Sequence, residues 1–182
     1  MQITTLSIHP PRMFAVVMDE GEEVATGLDV FARHTGVDAA TFTAVGAIRE
    51  GTLGFFDPDL GDYREIPVTE QSEVVSLLGD ITRDAGTGMD PQVHGHLVVA
   101  GADGRARGGH LLRAIVRPTL EVVVTESPAH LRRTLDSRTG LALIDLDASE
   151  TISHSFSLPA TRDVPDQPSG IGSQTSDSAS DR

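Results

Sequence analysis

The chain has 182 residues, a formal net charge of −13 at pH 7, no cysteine and no tryptophan, a size that suits one ordinary domain followed by a tail. The lack of cysteine excludes disulfides and thiolate metal ligands, so any metal must be bound through nitrogen and oxygen. The acidic charge disfavours DNA as a partner, because proteins neutralise phosphates mainly with Lys and Arg.

The N-terminal segment, MQITTLSIHPPRMFAVV, has no basic region followed by an unbroken apolar run, so it does not indicate a signal peptide. Nowhere in the chain do roughly 18 apolar residues follow one another, which argues against a membrane span. We therefore expect a soluble cytoplasmic protein with no membrane partner.

An amphipathic helix is predicted in the segment GEEVATGLDVFARHTG. Val24, Leu28 and Phe31 have the i, i+4, i+7 spacing of one helix face. Glu23 lies in the predicted first turn, and Gly36 marks the predicted end of the helix.

Most of the remaining ordered region is predicted to form short β-strands separated by Gly, Pro and Asp. The strand segments are RMFAVVM, AATFTAVGAI, GTLGFFD, YREIPV, EVVSLLGDIT, VHGHLVVA, GGHLLRAIV, TLEVVVTE and LALIDL. A second short helix is predicted at SPAHLRRTL, with Ser127 as its N-cap and Pro128 at its first position. One principal helix and a long series of strands predict an α+β domain built on a mainly antiparallel sheet.

The last part of the chain, 148–182, is predicted to be a disordered tail. It is rich in Pro, Ser, Gly and Asp and has few large apolar residues, so burial could not offset the entropy lost on ordering. The folded domain is therefore assigned to residues 1–147.

Three histidines, His94, His96 and His110, fall within the segment VHGHLVVAGADGRARGGHLL. The Asp103 and Gly104 pair between the two predicted strands admits two hairpin registers. A two-residue type I′ turn would place His96 and His110 on opposite faces of the sheet. A three-residue loop with Gly104 in the left-handed conformation would place them directly across from each other, with His94 on the same face. The sequence permits both registers.

In the second register the three imidazoles could bind one metal ion, for which zinc is the first candidate. Three neutral histidines leave a fourth position open, as in catalytic zinc sites, where the metal activates water or polarises a carbonyl group. Asp80, Glu121 and Glu126 are candidate acceptors for the second ring nitrogens. Gly95 and the glycine pair at 108–109 are predicted to leave room for a ligand beside the histidines.

Three segments are specific in combination: the HGH strand, the GGHL strand and the ending PTLEVVVTE. Through them, over residues 12–126, the chain resembles the PPC (plants and prokaryotes conserved) domain, also called domain of unknown function 296, in its prokaryotic single-domain form. The resemblance implies an α+β fold related to that of acetolactate decarboxylase, a homotrimer, and candidate zinc ligands at His94, His96 and His110. Prokaryotic members are described as DNA-binding proteins. Plant members carry AT-hooks, whose Arg-Gly-Arg-Pro core is absent from this sequence.

The first functional hypothesis is a metal-binding, trimeric PPC-domain protein with a DNA-binding or regulatory role. Its basic residues would be Arg105 and Arg107 in the hairpin loop, and Arg132 and Arg133 on the second predicted helix. A positive surface of this kind would bind DNA with a strong dependence on salt.

The second hypothesis is a zinc-dependent lyase or hydrolase that acts on a small oxygen-rich metabolite, by analogy with acetolactate decarboxylase. Arg49, Glu50 and Arg113 are the further polar residues considered for such a site. A third alternative gives the histidines only a structural role in the fold or the trimer.

Overall fold

The computed structural model describes residues 2–7, 11–86, 90–127 and 130–150. The elements in this part of the chain are β1 (Gln2–Ser7), β2 (Met13–Asp19), α1 (Val24–Thr35), β3 (Ala40–Asp57), β4 (Asp62–Val68), β5 (Ser72–Asp84), β6 (Pro91–Ala100), β7 (Ala106–Glu126), β8 (His130–Leu135) and β9 (Ala142–Glu150). Among the described residues, no helix has the length and apolar character needed to cross a membrane.

Helix α1 confirms the predicted principal helix and its predicted end. Its N-cap is Glu23, whose carboxylate accepts hydrogen bonds from the backbone N–H groups of Ala25 and Thr26. Glu23 therefore precedes the helix, whereas the prediction placed it in the first turn. Its extended backbone turns the side chain toward the first free amides. The helix ends at Gly36, which has a left-handed φ of 67° that suits glycine.

All nine described strands belong to one sheet, centred on the long strands β3 and β7. Strand β3 also pairs with β4 and β5, and β7 also pairs with β2. Strand β6 pairs with both β5 and β7, so β3, β5, β6 and β7 form a closed cycle of neighbours. The pairing of β5 with β8 is parallel and the other pairings between the described strands are antiparallel, which confirms the predicted α+β domain with a mainly antiparallel sheet.

The hydrophobic core lies between one face of the sheet and α1. Side chains alternate across strand β3, so that Phe42 is 2% exposed while Val45 is 56% exposed. From the helix, Phe31 packs edge-on against Phe14 of β2 with ring centroids 5.1 Å apart. Burial of these apolar side chains is the main source of the fold's stability.

Strand β8 corrects the prediction of a second helix. Residues 130–135 pair with β9 along their length and, at Arg132 and Arg133, with β5. The local signals at Ser127 and Pro128 are outweighed because pairing with two neighbouring strands satisfies the backbone of this segment and packs its side chains.

Strand β9 confirms the predicted strand at LALIDL and continues to Glu150. The first three residues of the predicted tail, 148–150, therefore lie in this strand. The remainder of the tail, 151–182, lies outside the described residues, and its disorder stays a prediction.

Candidate metal centre

The hairpin between β6 and β7 has the three-residue loop. The backbone N–H of Gly101 donates to the carbonyl oxygen of Arg105 at 3.1 Å, and Gly104 has a left-handed φ of 76°. His96 is the direct cross-strand partner of His110. This confirms the register in which the histidines share one face of the sheet.

The three histidines form one cluster on the outer face of the sheet. One ligand nitrogen from each of His94, His96 and His110 can be chosen so that all three lie within 4.8 Å of one another. The ring centroids are 5.2 Å apart between His94 and either of the other rings, and 5.5 Å apart between His96 and His110. Three imidazole nitrogens this close form a donor set that a single divalent ion could share.

Asp80 orients the first of these rings. It lies on β5 directly across from His94, and its carboxylate oxygen is 3.0 Å from the Nδ1 atom of His94. With a proton on Nδ1, His94 donates to Asp80 and keeps the lone pair of Nε2 free for a metal. Of the three predicted acceptors, Asp80 is thus the one that contacts a histidine.

Arg133 joins Asp80 from strand β8. Its Nη2 atom donates to both carboxylate oxygens of Asp80, at 2.8 and 3.0 Å, and lies 3.2 Å from Nδ1 of His94. Burial raises the pKa of Asp80, but the hydrogen bonds from His94 and Arg133 outweigh burial and lower it overall. Asp80 is therefore ionised at neutral pH and holds both partners in place.

His110 is the most enclosed member of the cluster. Its ring stacks on Tyr63 of β4 with centroids 4.6 Å apart. Burial is the main cause that lowers the pKa of His110 to about 4, and the neighbouring His94, His96 and Arg133 lower it further. Burial, together with His94, also lowers the pKa of His96. Both rings are therefore neutral at pH 7, which is the form that binds a metal.

A cavity of about 290 Å³ opens beside the cluster. Its lining includes His94, His110 and Tyr63, together with the turn before β9 and the first residues of that strand, from Gly140 to Leu143. Arg133 is the one charged side chain among the residues that line it. The cavity lies at the small end of the range for ligand pockets, about 300 to 1,000 Å³.

The structure places the other predicted acceptors away from the histidines. Glu126 pairs with Arg12, which also donates to the carbonyl oxygen of Thr35 at 3.0 Å. The hydrogen bond from Arg12 is the main cause that lowers the pKa of Glu126. Glu121 lines a separate groove on the sheet face with Val45. Both interpretations were wrong because residue type alone does not determine which strand lies beside β6.

The polar residues considered for an enzyme site are also elsewhere. Arg113 and Arg49 both contact Glu50, at 3.3 and 3.8 Å, and all three side chains are between 42% and 51% exposed. They form a surface ion pair network and do not line the cavity beside the histidines.

The glycines near the histidines serve the core and not a ligand. A side chain on Gly95 would contact Leu77 at 3.3 Å and the ring of Phe42 at 3.5 Å, both on the opposite face from the histidines. Gly109 allows the backbone of Gly54 to approach to 2.7 Å from where a Cβ would lie. The predicted room for a ligand was therefore wrong, because strand alternation directs these positions inward or against a neighbouring strand.

Three of the four predicted DNA-binding arginines pair with acidic residues, so they do not form a free basic surface. Arg105 lies 3.5 Å from Asp103, and Arg107 lies 3.5 Å from Glu70. Arg133 is buried beside Asp80, with 9% of its side chain exposed. The sequence assigned Arg133 to the wrong role because its partner, Asp80, is 53 positions away along the chain.

The chain is similar to a known protein family over most of its length. Residues 7–128 match the Plants and Prokaryotes Conserved (PCC) domain. The chain is 32% identical over 139 residues, 75% of its length, to the bifunctional protein GlmU of Synechococcus sp. (strain JA-2-3B'a(2-13)). It is 31% identical over 125 residues, 68% of its length, to GlmU of strain JA-3-3Ab. The matched regions cover only 20% and 18% of these relatives, so the chain spans about a fifth of their length.

Several solved structures share the fold. A plant- and prokaryote-conserved (PPC) protein of Pyrococcus horikoshii is 25% identical, with a TM-score of 0.69 over 79% of this chain and 94% of that one. A "putative dna binding protein" of Bacteroides thetaiotaomicron is 28% identical, with a TM-score of 0.71 over 80% and 98%. A metal-containing protein of Archaeoglobus fulgidus is 31% identical, with a TM-score of 0.66 over 72% and 91%.

Proposed function

The chain belongs to the Plants and Prokaryotes Conserved (PCC) domain family, and we propose that it binds a divalent metal ion through His94, His96 and His110, with zinc as the first candidate. We propose further that the bound metal acts on a small oxygen-rich molecule that is held in the adjoining cavity. The observation that carries this proposal is the convergence of the three ring nitrogens within 4.8 Å at the edge of that cavity.

The donor set suits zinc. Two of the rings have lowered pKa values, so binding a cation at neutral pH requires no proton to be removed from them. Nδ1 of His110 is buried without a hydrogen-bond partner among the described residues, and a buried polar atom in this state is destabilising until a partner binds that atom. The metal-containing relative from Archaeoglobus fulgidus, 31% identical, adds support.

The cavity favours a small molecule over DNA as the partner. When bound, a zinc ion supplies a Lewis acid, which suits lyase or hydrolase chemistry. The chain's own residues do the remaining work: Asp80 orients His94, and Tyr63 and the β9 residues exclude water from one side. DNA binding stays a prediction, and the pairing of Arg105 and Arg107 with acidic residues argues against it. A salt-dependent affinity of the whole chain for duplex DNA would revive it.

The direct test is the metal content of protein purified without a histidine tag, loaded with zinc and desalted. We expect about one zinc per chain, because each chain has one cluster of three ligands. Protein that retains no zinc after loading would overturn the proposal.

Asp80→Asn is expected to lower zinc affinity by about 10- to 100-fold, which is the usual effect of removing a partner of a metal-binding histidine. Asparagine no longer holds Nδ1 of His94 by a charged bond, and it leaves the positive charge of Arg133 uncompensated beside the metal. Competition with a chromophoric chelator measures the affinity. Asp29→Asn, which removes an exposed carboxylate that pairs with Arg33 on α1, is the matched control and should bind zinc like the wild type.

We also propose that the chain forms a homotrimer through the outer face of the sheet. This face exposes an apolar patch of four side chains between 43% and 56% exposed: Val45, Val75, Leu78 and Val123. A contiguous apolar patch on a sheet is typical of a protein–protein interface.

Light scattering coupled to gel filtration should give three times the chain mass of 19.3 kDa. Val45→Glu should reduce the mass to that of a monomer, because it places a charge in the apolar patch. Leu135→Glu is the control, since Leu135 is 74% exposed on a different strand. A monomeric wild type would contradict the proposal.

A further inference from the structure

The β8–β9 hairpin lies outside the segment that defines the family. The family match ends at residue 128, whereas the hairpin runs from His130 to Glu150. Even so, it supplies half of the cavity beside the histidines: Arg133 from β8, and Gly140, Leu141, Ala142 and Leu143 from the turn and β9. The residues that a ligand would meet beside His94 and His110 therefore include several that lie beyond the segment that defines the family.

Arg133 is the polar anchor of this part of the cavity lining. Its side chain is 9% exposed, and its Nη1 atom donates to the carbonyl oxygen of Ala142 at 2.7 Å. Its Nε atom is buried and has no acceptor among the described residues. A guanidinium group has five N–H donors, and a buried donor without an acceptor is destabilising. The contacts with Asp80 and Ala142 thus fix the group in place, and the second N–H of Nη1 is left for a ligand in the cavity that this side chain lines.

The charges around the cavity depend on the metal. Arg133 and Asp80 form a salt bridge without net charge, and Arg133 is the one charged side chain among the described residues that line the cavity. A divalent ion at the histidines adds two positive charges next to the guanidinium group. In a partly buried site these charges are weakly screened, so an anion is favoured in the cavity only when the metal is bound.

We propose that the β8–β9 hairpin makes this cavity selective for a small organic carboxylate, which Arg133 binds beside the metal. Part of the lining is apolar, with Val93, Leu141 and Leu143 facing the same space. A ligand with an anionic head and a short organic body suits this mixture better than inorganic phosphate. At about 30 Å³ for each water-sized group, the cavity holds roughly ten such groups. This inference rests on the proposed metal site and specifies its ligand.

The test is calorimetric titration of the full chain, loaded with zinc and desalted, with malonate, acetate, inorganic phosphate and the neutral analogue malonamide. We expect malonate to bind more tightly than phosphate, and malonamide or zinc-free protein to show no binding. Arg133→Gln should weaken malonate binding by on the order of 10- to 100-fold, the usual effect of losing a charge-assisted hydrogen bond. Its zinc affinity should be equal or higher, because a positive charge near the metal has been removed.

Two further variants separate binding from folding. Arg132→Gln changes the adjacent residue, whose side chain points to the other face of β8, and should bind malonate within about twofold of the wild type. Arg133→Lys keeps a charge next to Asp80 but lacks the planar fork, so we expect an intact fold with weaker malonate binding.

The outcomes distinguish the two proposals. If the wild type does not retain zinc, the metal site itself is refuted. If it retains zinc but malonate binds no better than malonamide, or equally well to Arg133→Gln, only the carboxylate inference is overturned. Phosphate binding more tightly than malonate would also overturn selection for an organic ligand.

Discussion

Replacing any one of His94, His96 and His110 by alanine is expected to lower zinc affinity by more than about 100-fold. Loss of a residue that only orients a ligand typically costs 10- to 100-fold, and the loss of a ligand itself costs more. Two remaining imidazoles cannot complete the three-ligand set of an open zinc site. Elemental analysis and chelator competition on each variant measure the effect.

His34→Ala is the matched control for these variants. His34 is exposed in the last turn of α1, far in the sequence from the cluster, and its loss should leave zinc affinity unchanged. The apo forms of the cluster variants should retain the fold, because His96 is exposed and the other two rings are half-buried. If one of the three variants bound zinc as tightly as the wild type, that histidine would not be a ligand.

The sequence was sufficient to predict the elements that depend on local pattern. The spacing of Val24, Leu28 and Phe31 and the stop at Gly36 predicted α1. The three histidines were also identified correctly as one cluster, once a three-residue loop was assumed.

The choice of hairpin register could not be made from the sequence, for a physical reason. The apolar residues of β6, Leu97 and Val99, alternate and define its buried face. Strand β7 has a pair of glycines near its start and then Leu111 and Leu112 side by side, so its pattern is compatible with either face. In the structure the register is determined by β3, which pairs with β7 and buries Leu111 to 7% exposure, while Leu112 remains 37% exposed.

The surroundings of the histidines could not be predicted because they depend on contacts distant in sequence. Tyr63 stacks on His110 across 47 positions, and Arg133 reaches His94 across 39 positions. At SPAHLRRTL the local capping signals favoured a helix, and no local feature indicated that β5 and β9 would pair with this segment. Prediction failed here because tertiary pairing overrides local propensity.

Phe42 packs beneath the glycines of β5 and β6, and this leads to the second large expected effect. Its ring lies on the core face over Gly79 of β5 and Gly95 of β6, which are cross-strand partners. A side chain on Gly79 would overlap the ring of Phe42 and the carbonyl oxygen of His94. The same ring therefore supports, from below, the two strands that carry Asp80 and the histidine pair on their outer face.

Phe42→Ala is expected to lower the free energy of unfolding by about 3 to 5 kcal/mol, because the side chain is 2% exposed and its removal leaves a cavity under β5 and β6. Urea denaturation of the zinc-free protein measures the change. Thr41→Ala is the control on the same strand: Thr41 faces outward and pairs with Asp80, so its loss should cost no more than about 0.5 kcal/mol. Equal effects of the two substitutions would mean that the ring does not support the β5–β6 pair. Saturating zinc should raise the stability of Phe42→Ala, because an ion that binds only the folded state stabilises that state. The gain is about 2.7 kcal/mol when the free ion concentration is 100 times the dissociation constant.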